Sequence, residues 1–210
     1  MIMKRCFDLV IGSVLLVVLC PLLVLIAVTV AVTSGRPVIY RAHRVGRGGQ
    51  TFLMLKFRTM RVGIAGPAIT GREDPRITPI GAILRRSKLD ELPQLLNVLR
   101  GDMSLVGPRP EDPRLVAGYS PEQRQVLSIR PGITSPASVR YGDEETLLKG
   151  GDPSIEELYA TTIMQAKLAL DLDYVRRRNL WWDIAILCQS AAVVLPWNWS
   201  RPASAKVAQS

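Results

Sequence analysis

Two adjacent acidic residues, Asp90 and Glu91, form the pair best suited to chemistry in this sequence. Basic residues flank the pair on both sides, at Arg85, Arg86, Lys88 and Arg100. Acidic residues are also common at helix N-termini, because they cap the first turn and interact with the helix dipole, so the pair by itself does not define a site. The surrounding positive charge favours a site at which carboxylates meet a phosphorylated substrate.

A carboxylate that attacks a pyrophosphate must approach another anion, and this approach requires cations that neutralise the charge. Mg²⁺ suits such a site, because it is commonly held by one or two carboxylates together with substrate phosphates. Adjacent acids permit one residue to act as a nucleophile while the other binds the metal. A helix N-terminus at this position would add positive charge and keep the carboxylate ionised.

A further candidate is Arg109, which lies in the segment Gly107-Pro108-Arg109-Pro110. Proline fixes its own φ and restricts the residue before it, so the backbone around Arg109 is expected to be stiff and extended. A rigidly held guanidinium can bind a phosphate through two parallel hydrogen bonds. For this segment alone, an exposed arginine with a structural role is the alternative.

Other side chains argue against several chemistries. His43 is the only histidine, which disfavours a catalytic triad and a histidine-ligated zinc site. The three cysteines, Cys6, Cys20 and Cys188, are odd in number and form no Cys-x-x-Cys pair. A disulfide framework is therefore not expected, and a reducing compartment is the simpler interpretation.

Lys and Arg outnumber Asp and Glu by 27 to 18, which gives a formal net charge of +9. This excess predicts an anionic partner: a lipid surface, a phosphorylated small molecule or nucleic acid. Aromatic residues make up only 6% of the chain, so a surface on which bases stack is weakly supported. The sequence therefore predicts membrane lipid and phosphorylated substrates as partners, and no nucleic acid.

The elements that must position these residues begin with a membrane segment, because residues 9–32 contain no charged side chain. A continuous helix of this length covers ~36 Å, enough to cross a hydrocarbon core of ~30 Å. Two features favour instead a hairpin that enters and leaves by one face. Pro21 lies near the middle of the run, and basic residues, which prefer the cytoplasmic side, flank both ends. The residues alone leave both topologies open.

Two short strands are predicted after the membrane segment, at residues 37–41 and 51–58. The glycine-rich stretch 45–50 between them predicts a hairpin turn, because it lacks the Lys-Ser/Thr ending and the following helix of a phosphate-binding loop. Residues 61–79 are polar and rich in Gly and Pro, which predicts a loop over or beside a site.

Helical periodicity follows, with leucines at three- and four-residue steps: Leu89, Leu92, Leu96 and Leu99. Asp90 is expected as the N-cap of this helix, Pro93 in its first turn and Gly101 at its end. A second helix is predicted at about residues 155–178. Tryptophans at 181, 182, 197 and 199 bracket a segment that is too short to span a bilayer and that is expected at the membrane interface or packed on the domain.

The order of these motifs resembles the small monotopic phosphoglycosyl transferases, also called bacterial sugar transferases. The resemblance covers about residues 4–187. Six blocks carry it: Lys4-Arg5 with Asp8, Lys56 to Met60, Leu89 to Gln94, Asn97 to Ser104, Val106 to Pro110 and Arg130 to Thr134. The block from Leu89 to Pro110 is long and unusual in composition, so the match is specific.

The resemblance implies an α+β, mostly helical fold with a small β-hairpin and interfacial amphipathic helices. It implies that residues 1–35 form a re-entrant membrane helix broken at Cys20-Pro21, that residues 36–199 form a cytoplasmic interfacial catalytic domain, and that residues 200–210 form a disordered tail. It favours the hairpin topology at the inner membrane, with the catalytic domain facing the cytoplasm.

The reaction implied by the resemblance transfers a sugar 1-phosphate from a UDP-sugar to polyprenyl phosphate, with downstream glycosyltransferases as further partners. Asp90 would be the nucleophile that carries the phosphosugar, and Glu91 would bind Mg²⁺. The segment Pro108-Arg109-Pro110 would contact the nucleotide. Substrate contacts are also implied for Lys56, Arg85 and Asp183.

This sequence departs from the family pattern at two places. The membrane break is Cys20-Pro21 where the family has Ser-Pro, and a thiol is the weaker hydrogen-bond partner for an opened backbone. Residues 135–140 also differ from the usual family sequence, so the sugar cannot be copied from a relative. Two alternatives stay open: a single-span protein with a basic domain that binds anionic lipid or nucleic acid, and a metal-dependent hydrolase of nucleotide sugars.

Overall fold

The computed structural model describes residues 2–64, 71, 74–142 and 159–194. The predictions for Trp197 and Trp199, for the tail at 200–210 and for the start of the helix predicted from residue 155 lie outside these residues. The described part is mostly helical with a small sheet, as the sequence indicated.

The N-terminal apolar run forms one helix, α1, at Ile2–Ser34. By length and composition it could cross a membrane, and it is the one such helix among the described residues. The helix continues through Cys20 and Pro21, so the predicted break into two halves is not confirmed. Proline removes a single backbone hydrogen bond, which a helix can lose without ending.

Helix α1 packs on the rest of the chain along one side, and its other side is exposed. Toward its N-terminus it presents Phe7, Ile11, Leu15, Leu16 and Leu19 to the core, and toward its C-terminus Leu22, Leu23, Ile26, Ala27 and Val30. The exposed side carries Val10, Val14, Val17, Val18, Val24, Leu25 and Val28. An exposed apolar stripe of this extent is typical of a membrane-contacting surface.

Polar contacts hold both ends of α1 to the same domain. Near the N-terminus, Arg5 donates hydrogen bonds to the carbonyls of Val98 and Leu99, at 2.7 and 3.0 Å. Asp8 is buried and accepts a hydrogen bond of 2.8 Å from Ser104 Oγ. At the C-terminal end, Arg58 donates to the carbonyls of Ser34 and Gly35. The two ends of the apolar helix are therefore anchored on one folded unit.

Strands β1 (Ile39–Val45) and β2 (Thr51–Phe57) form an antiparallel hairpin. This confirms the predicted hairpin and its turn, although β1 begins and ends later than expected. The register pairs Ala42 with Met54, and both side chains are buried. The hairpin therefore contributes one face to the core.

Helix α2 (Pro79–Arg86) is followed by a 3₁₀ turn at Leu89–Glu91 and by α3 (Gln94–Arg100). The prediction of Asp90 as a helix N-cap is wrong, because α3 begins at Gln94 with Pro93 in the N-cap position. Lys88, at φ 56, reverses the chain direction before the acidic pair. The expected end of α3 at Gly101 is confirmed, with φ 95 at that residue.

A second, parallel pair of strands, β3 (Ser104–Val106) and β4 (Gly132–Thr134), was not expected from the sequence. Both strands contain only three residues, too few for a visible alternation. A parallel pair needs a long crossover, and here residues 107–131 provide it. The crossover includes α4 (Pro113–Ala117) and a 3₁₀ turn at Gln123–Ser128.

The remaining described elements are α5 (Pro136–Arg140), a π-helical turn (Tyr159–Ile163), α6 (Met164–Arg177) and α7 (Leu180–Val194). The predicted second helix is confirmed from residue 159 onward. Trp182 packs against Tyr174, with ring centroids 5.5 Å apart, whereas Trp181 is 82% exposed. The interfacial position of this helix stays a prediction.

Candidate active site

The acidic pair opens onto a cavity of about 1040 Å³ between the β1–β2 hairpin and the loops that follow α2 and β3. Ten Lys and Arg residues line it: Arg41, Arg44, Lys56, Arg58, Arg61, Arg76, Arg85, Lys88, Arg109 and Arg114. Only four acidic residues do so, at positions 90, 91, 111 and 112. This excess of cations suits an anionic ligand such as a nucleoside diphosphate.

Glu91 is held by two cations from distant parts of the chain. Its Oε1 accepts a hydrogen bond from Lys56 Nζ at 2.8 Å and one from Arg109 Nη2 at 3.3 Å. Burial opposes its ionisation, but the charges of Lys56, Arg109 and Lys88 outweigh this effect and hold the pKa of Glu91 well below its usual range. Glu91 is therefore an ionised, fixed carboxylate.

Asp90 is buried like Glu91, but it differs from Glu91 in its hydrogen bonding and in the direction of its pKa shift. Its side chain is buried, and no described residue donates a hydrogen bond to it. Burial raises the pKa of Asp90 to about 6, and the charge of Lys56 offsets only part of this effect. The expectation that a helix N-terminus would favour its ionised form is therefore wrong, since the pair lies in a 3₁₀ turn and desolvation dominates.

The two acids thus have different capacities. Glu91 is already neutralised by ion pairs and can orient a cation or a substrate. Asp90 is mostly ionised at neutral pH, and none of the described side chains satisfies its oxygens, so they are available to a ligand in the cavity. A carboxylate whose oxygens accept no hydrogen bond from the described residues can bind an electrophile or a metal ion, and the charges of Lys56, Lys88 and Arg85 favour its ionised form.

Arg109 is held in place through its backbone. The backbone N–H of Arg109 donates a hydrogen bond of 3.0 Å to Asp171 Oδ2 on α6. Burial raises the pKa of Asp171 to about 6. The sequence analysis did not identify Asp171, because no local motif relates it to a residue 62 positions earlier.

The position of the Arg109 segment also depends on two glycines, Gly107 and Gly132, at which neighbouring backbone segments lie very close together. A Cβ atom added to Gly132 would lie 2.1 Å from the backbone nitrogen of Gly107, and one added to Gly107 would lie 2.5 Å from the carbonyl oxygen of Arg130. Only glycine permits such a distance. The strand pair β3–β4 therefore delivers the Pro108-Arg109-Pro110 segment to the acidic pair.

The structure brings together most of the predicted site residues. Lys56, Arg85, Asp90, Glu91, Arg109 and Pro110 line the large cavity. Pro108 does not line it. Its structural contribution is to the backbone that precedes Arg109.

Asp183 lies outside the lining of the large cavity, and its role in substrate binding stays a prediction. Its carboxylate pairs with Lys4 Nζ at 2.9 Å and accepts a hydrogen bond of 2.6 Å from Tyr174 Oη. Asp8 also pairs with Lys4, at 3.3 Å. Asp183 is buried and lines neither of the cavities described here, so it joins α7 to the start of α1.

The carboxylates present fit a Mg²⁺ ion bound in part by substrate. No group of three or more potential ligand side chains occurs among the described residues. Asp90 and the unpaired Oε2 of Glu91 supply hard oxygen ligands from two carboxylates. Mg²⁺ is commonly bound in this way, with phosphates and water completing the octahedron.

The described residues thus combine an exposed apolar helix that is long enough to cross a membrane with a basic cavity that suits an anionic ligand. The family model for bacterial sugar transferases matches residues 1–196. The chain therefore belongs to the bacterial sugar transferase family.

Several relatives carry specific names. The chain is 40% identical over 197 residues to a UDP-glucose:undecaprenyl-phosphate glucose-1-phosphate transferase of Caulobacter vibrioides, covering 91% of this chain and 69% of that protein. A protein of the same name from Escherichia coli is 35% identical, covering 89% of this chain and 39% of that protein. An exopolysaccharide production protein of Rhizobium leguminosarum is 38% identical, covering 89% of this chain and 92% of that protein.

Proposed function

We propose that this protein transfers a sugar 1-phosphate from a UDP-sugar to polyprenyl phosphate, giving a polyprenyl diphosphate sugar and UMP. The observation that carries the proposal is the buried, unpartnered Asp90 beside an ion-paired Glu91 in a strongly basic cavity. Two relatives are named as glucose-1-phosphate transferases that use UDP-glucose and undecaprenyl phosphate. The reaction would be an early step of exopolysaccharide synthesis, and glycosyltransferases would consume its lipid-linked product.

In the proposed first step, an Asp90 oxygen attacks the phosphorus that bears the sugar. A bond from Asp90 to this phosphorus forms, the bond to the bridging oxygen breaks, and UMP leaves with that oxygen. In the second step, a phosphate oxygen of the acceptor attacks the same phosphorus, and the Asp90 carboxylate is released. The ionised form of Asp90 is required for the attack, which its pKa of about 6 permits at neutral pH.

The other site residues bind and orient the donor. Lys56 and Arg109 fix Glu91 and place positive charge beside the developing negative charge on the phosphate oxygens. Arg85 adds charge on the cavity wall. Mg²⁺ held by Asp90 and Glu91 would neutralise the donor pyrophosphate.

The anchoring of α1 supports a membrane arrangement in which both of its ends lie on the same face. A helix with opposite ends on opposite sides of a bilayer cannot have both ends fixed to one polar domain, yet Arg5 and Asp8 fix one end of α1 and Arg58 the other. We propose that α1 bends at Pro21 within the membrane and returns to the same face, with its exposed valines in one leaflet and residues 36–199 at the cytoplasmic face. Basic residues on both flanks support this orientation.

Topology can be tested with single-cysteine variants made in a Cys-free background. Cysteines placed at Met3 and at Gly35 should both resist a membrane-impermeant maleimide in intact cells and react after lysis. Labelling of the N-terminal cysteine alone in intact cells would establish a spanning helix instead.

The reaction is tested by omitting the acceptor. Protein mixed with a panel of UDP-sugars and Mg²⁺ should release at most about one UMP per active site and gain the mass of one sugar phosphate. Asp90→Asn should abolish both signals. UMP that appears only after polyprenyl phosphate is added, with no mass gain, would establish direct transfer. Continuous UMP release without acceptor would indicate a hydrolase, an alternative that the relatives do not favour.

A further inference from the structure

A second cavity, of about 330 Å³, meets the active site at Glu91. Its wall is mainly apolar and includes Leu15 and Leu19 of α1, Leu92, Leu95, Leu105, Ile133, Val139, and Leu187 and Ala191 of α7. It therefore connects the membrane helix with the acidic pair. Nothing in a hydrophilic UDP-sugar matches such a surface.

Three charged residues line both this cavity and the larger basic one: Lys88, Glu91 and Arg109. The basic cavity suits a ligand that is polar throughout, whereas the apolar cavity suits a ligand that is apolar except at one anionic end. Lys167 also lines the apolar cavity, but its ammonium group is already paired with Glu111 at 3.7 Å. The charged residues thus lie where an anionic head group would enter the active site.

We propose that the apolar cavity binds the first isoprenyl units of the polyprenyl phosphate acceptor and that Lys88 holds its phosphate beside the acidic pair. This inference rests on the proposed function and assigns the second substrate of that site. The two substrates would then approach the same centre from different cavities.

Lys88 has three features that a solvent-facing lysine would not need. It is the one non-glycine residue with positive φ among the described residues. A left-handed conformation is strained for such a side chain, and strain of this kind is often retained at functional sites. Its charge acts on both Asp90 and Glu91. Its ammonium group forms no ion pair with a described residue and is half-buried, so it is available to an anion.

The size and position of the cavity agree with a partly inserted lipid. At about 30 Å³ for each water-sized group, it accommodates on the order of ten carbon atoms, or about two isoprenyl units. The rest of a long polyprenyl chain has to remain in the membrane. Leu15 and Leu19 form the wall on the membrane-helix side, and the neighbouring Val14 and Val18 are exposed on the same helix. The chain can therefore pass from the cavity to lipid without crossing a polar surface.

The proposal is tested by substituting Ala191 of α7 with larger side chains that would fill the cavity. Ala191 lines it, whereas Ala185 lies on the same helix, is exposed and lines neither cavity. Ala191→Trp is compared with Ala185→Trp as the matched control, with UDP-glucose as donor and undecaprenyl phosphate in detergent micelles as acceptor. We expect the acceptor KM of Ala191→Trp to be at least tenfold above that of the control, and that of Ala191→Leu to be intermediate.

The mass adduct formed with the donor alone distinguishes a defect in acceptor binding from a defect in the reaction with the donor. Equal acceptor KM values in Ala191→Trp and Ala185→Trp would overturn the assignment, and so would a selective loss of the donor-only adduct in the two Ala191 variants. Absence of any lipid-linked product in the unmodified protein across a panel of UDP-sugars would instead refute the proposed function.

The role of Lys88 is tested with substitutions that preserve its left-handed backbone conformation. Asparagine tolerates the left-handed conformation, so Lys88→Asn removes the charge at little conformational cost, and Lys88→Arg retains it. We expect the acceptor KM to rise about tenfold in Lys88→Asn, which loses the charge-assisted contact, and to stay within about threefold in Lys88→Arg, which keeps it. An unchanged acceptor KM in Lys88→Asn would remove Lys88 from the phosphate site.

Discussion

The burial of Asp90 predicts that its ionised carboxylate destabilises the fold. Its pKa of about 6 in the folded protein compares with a usual value of 3.8, a difference of about two units. At 1.36 kcal/mol per unit, the ionised form costs about 3 kcal/mol at pH 7. We therefore expect Asp90→Asn, which has the same shape and no charge, to unfold at a higher temperature than the unmodified protein, by roughly 6–12 °C for a chain of this size.

The sign of the pH dependence follows from linkage. Because the folded protein binds the proton more tightly than the unfolded chain, the cost is fully present above the folded pKa of about 6 and disappears as pH falls through the usual value of 3.8. At pH 4.5 the advantage of Asp90→Asn should shrink to about 1 kcal/mol. Thermal unfolding in detergent, without donor or Mg²⁺, at pH 7.5 and 4.5 measures both values.

The neighbouring acid provides the control. Glu91→Gln should lower the unfolding temperature, because it removes the charge with which Lys56 and Arg109 both pair, at a cost of about 1–2 kcal/mol for these partly exposed ion pairs. Opposite effects from adjacent, equally conservative substitutions would be difficult to explain by general packing. If Asp90→Asn is destabilising at pH 7.5, or equally stabilising at both pH values, the argument from burial is refuted.

Three further predictions concern the reaction and the fold. Donor-only adduct formation should be about tenfold slower at pH 5 than at pH 7.5, because protonation of Asp90 follows its pKa of about 6; a flat single-turnover profile would contradict the nucleophile assignment. Arg109→Lys should raise the donor KM by about tenfold, since lysine lacks the planar guanidinium group that binds phosphate through two hydrogen bonds. The control Arg124→Lys, at an exposed arginine, should leave the donor KM unchanged. Equal KM values in the two variants would exclude Arg109 from donor binding. Gly132→Ala should lower the free energy of unfolding by about 2 kcal/mol or more, because its Cβ would lie 2.1 Å from a backbone nitrogen. Gly118→Ala, whose nearest neighbour is at 3.6 Å, should be tolerated, and chemical denaturation of the two variants would show the difference.

The features that the sequence predicted correctly are those with a local physical signal. The apolar run of α1 is visible because twenty-four uncharged residues are contiguous, and the β1–β2 hairpin because its turn residues lie between two strand-like segments. The proximity of Arg109 to the acidic pair was suggested by motif composition. Its fixed backbone was anticipated from the adjacent prolines.

The tertiary structure decided which of the two acids is desolvated and which is ion-paired. Asp90 and Glu91 are neighbours in sequence, yet burial raises the pKa of one while Lys56 and Arg109, 35 and 18 residues away, lower that of the other. It also paired Asp183 with Lys4, and it brought an apolar cavity to Glu91. Desolvation and Coulomb energies depend on distances between residues that are remote in the chain, which is why no local pattern could determine them.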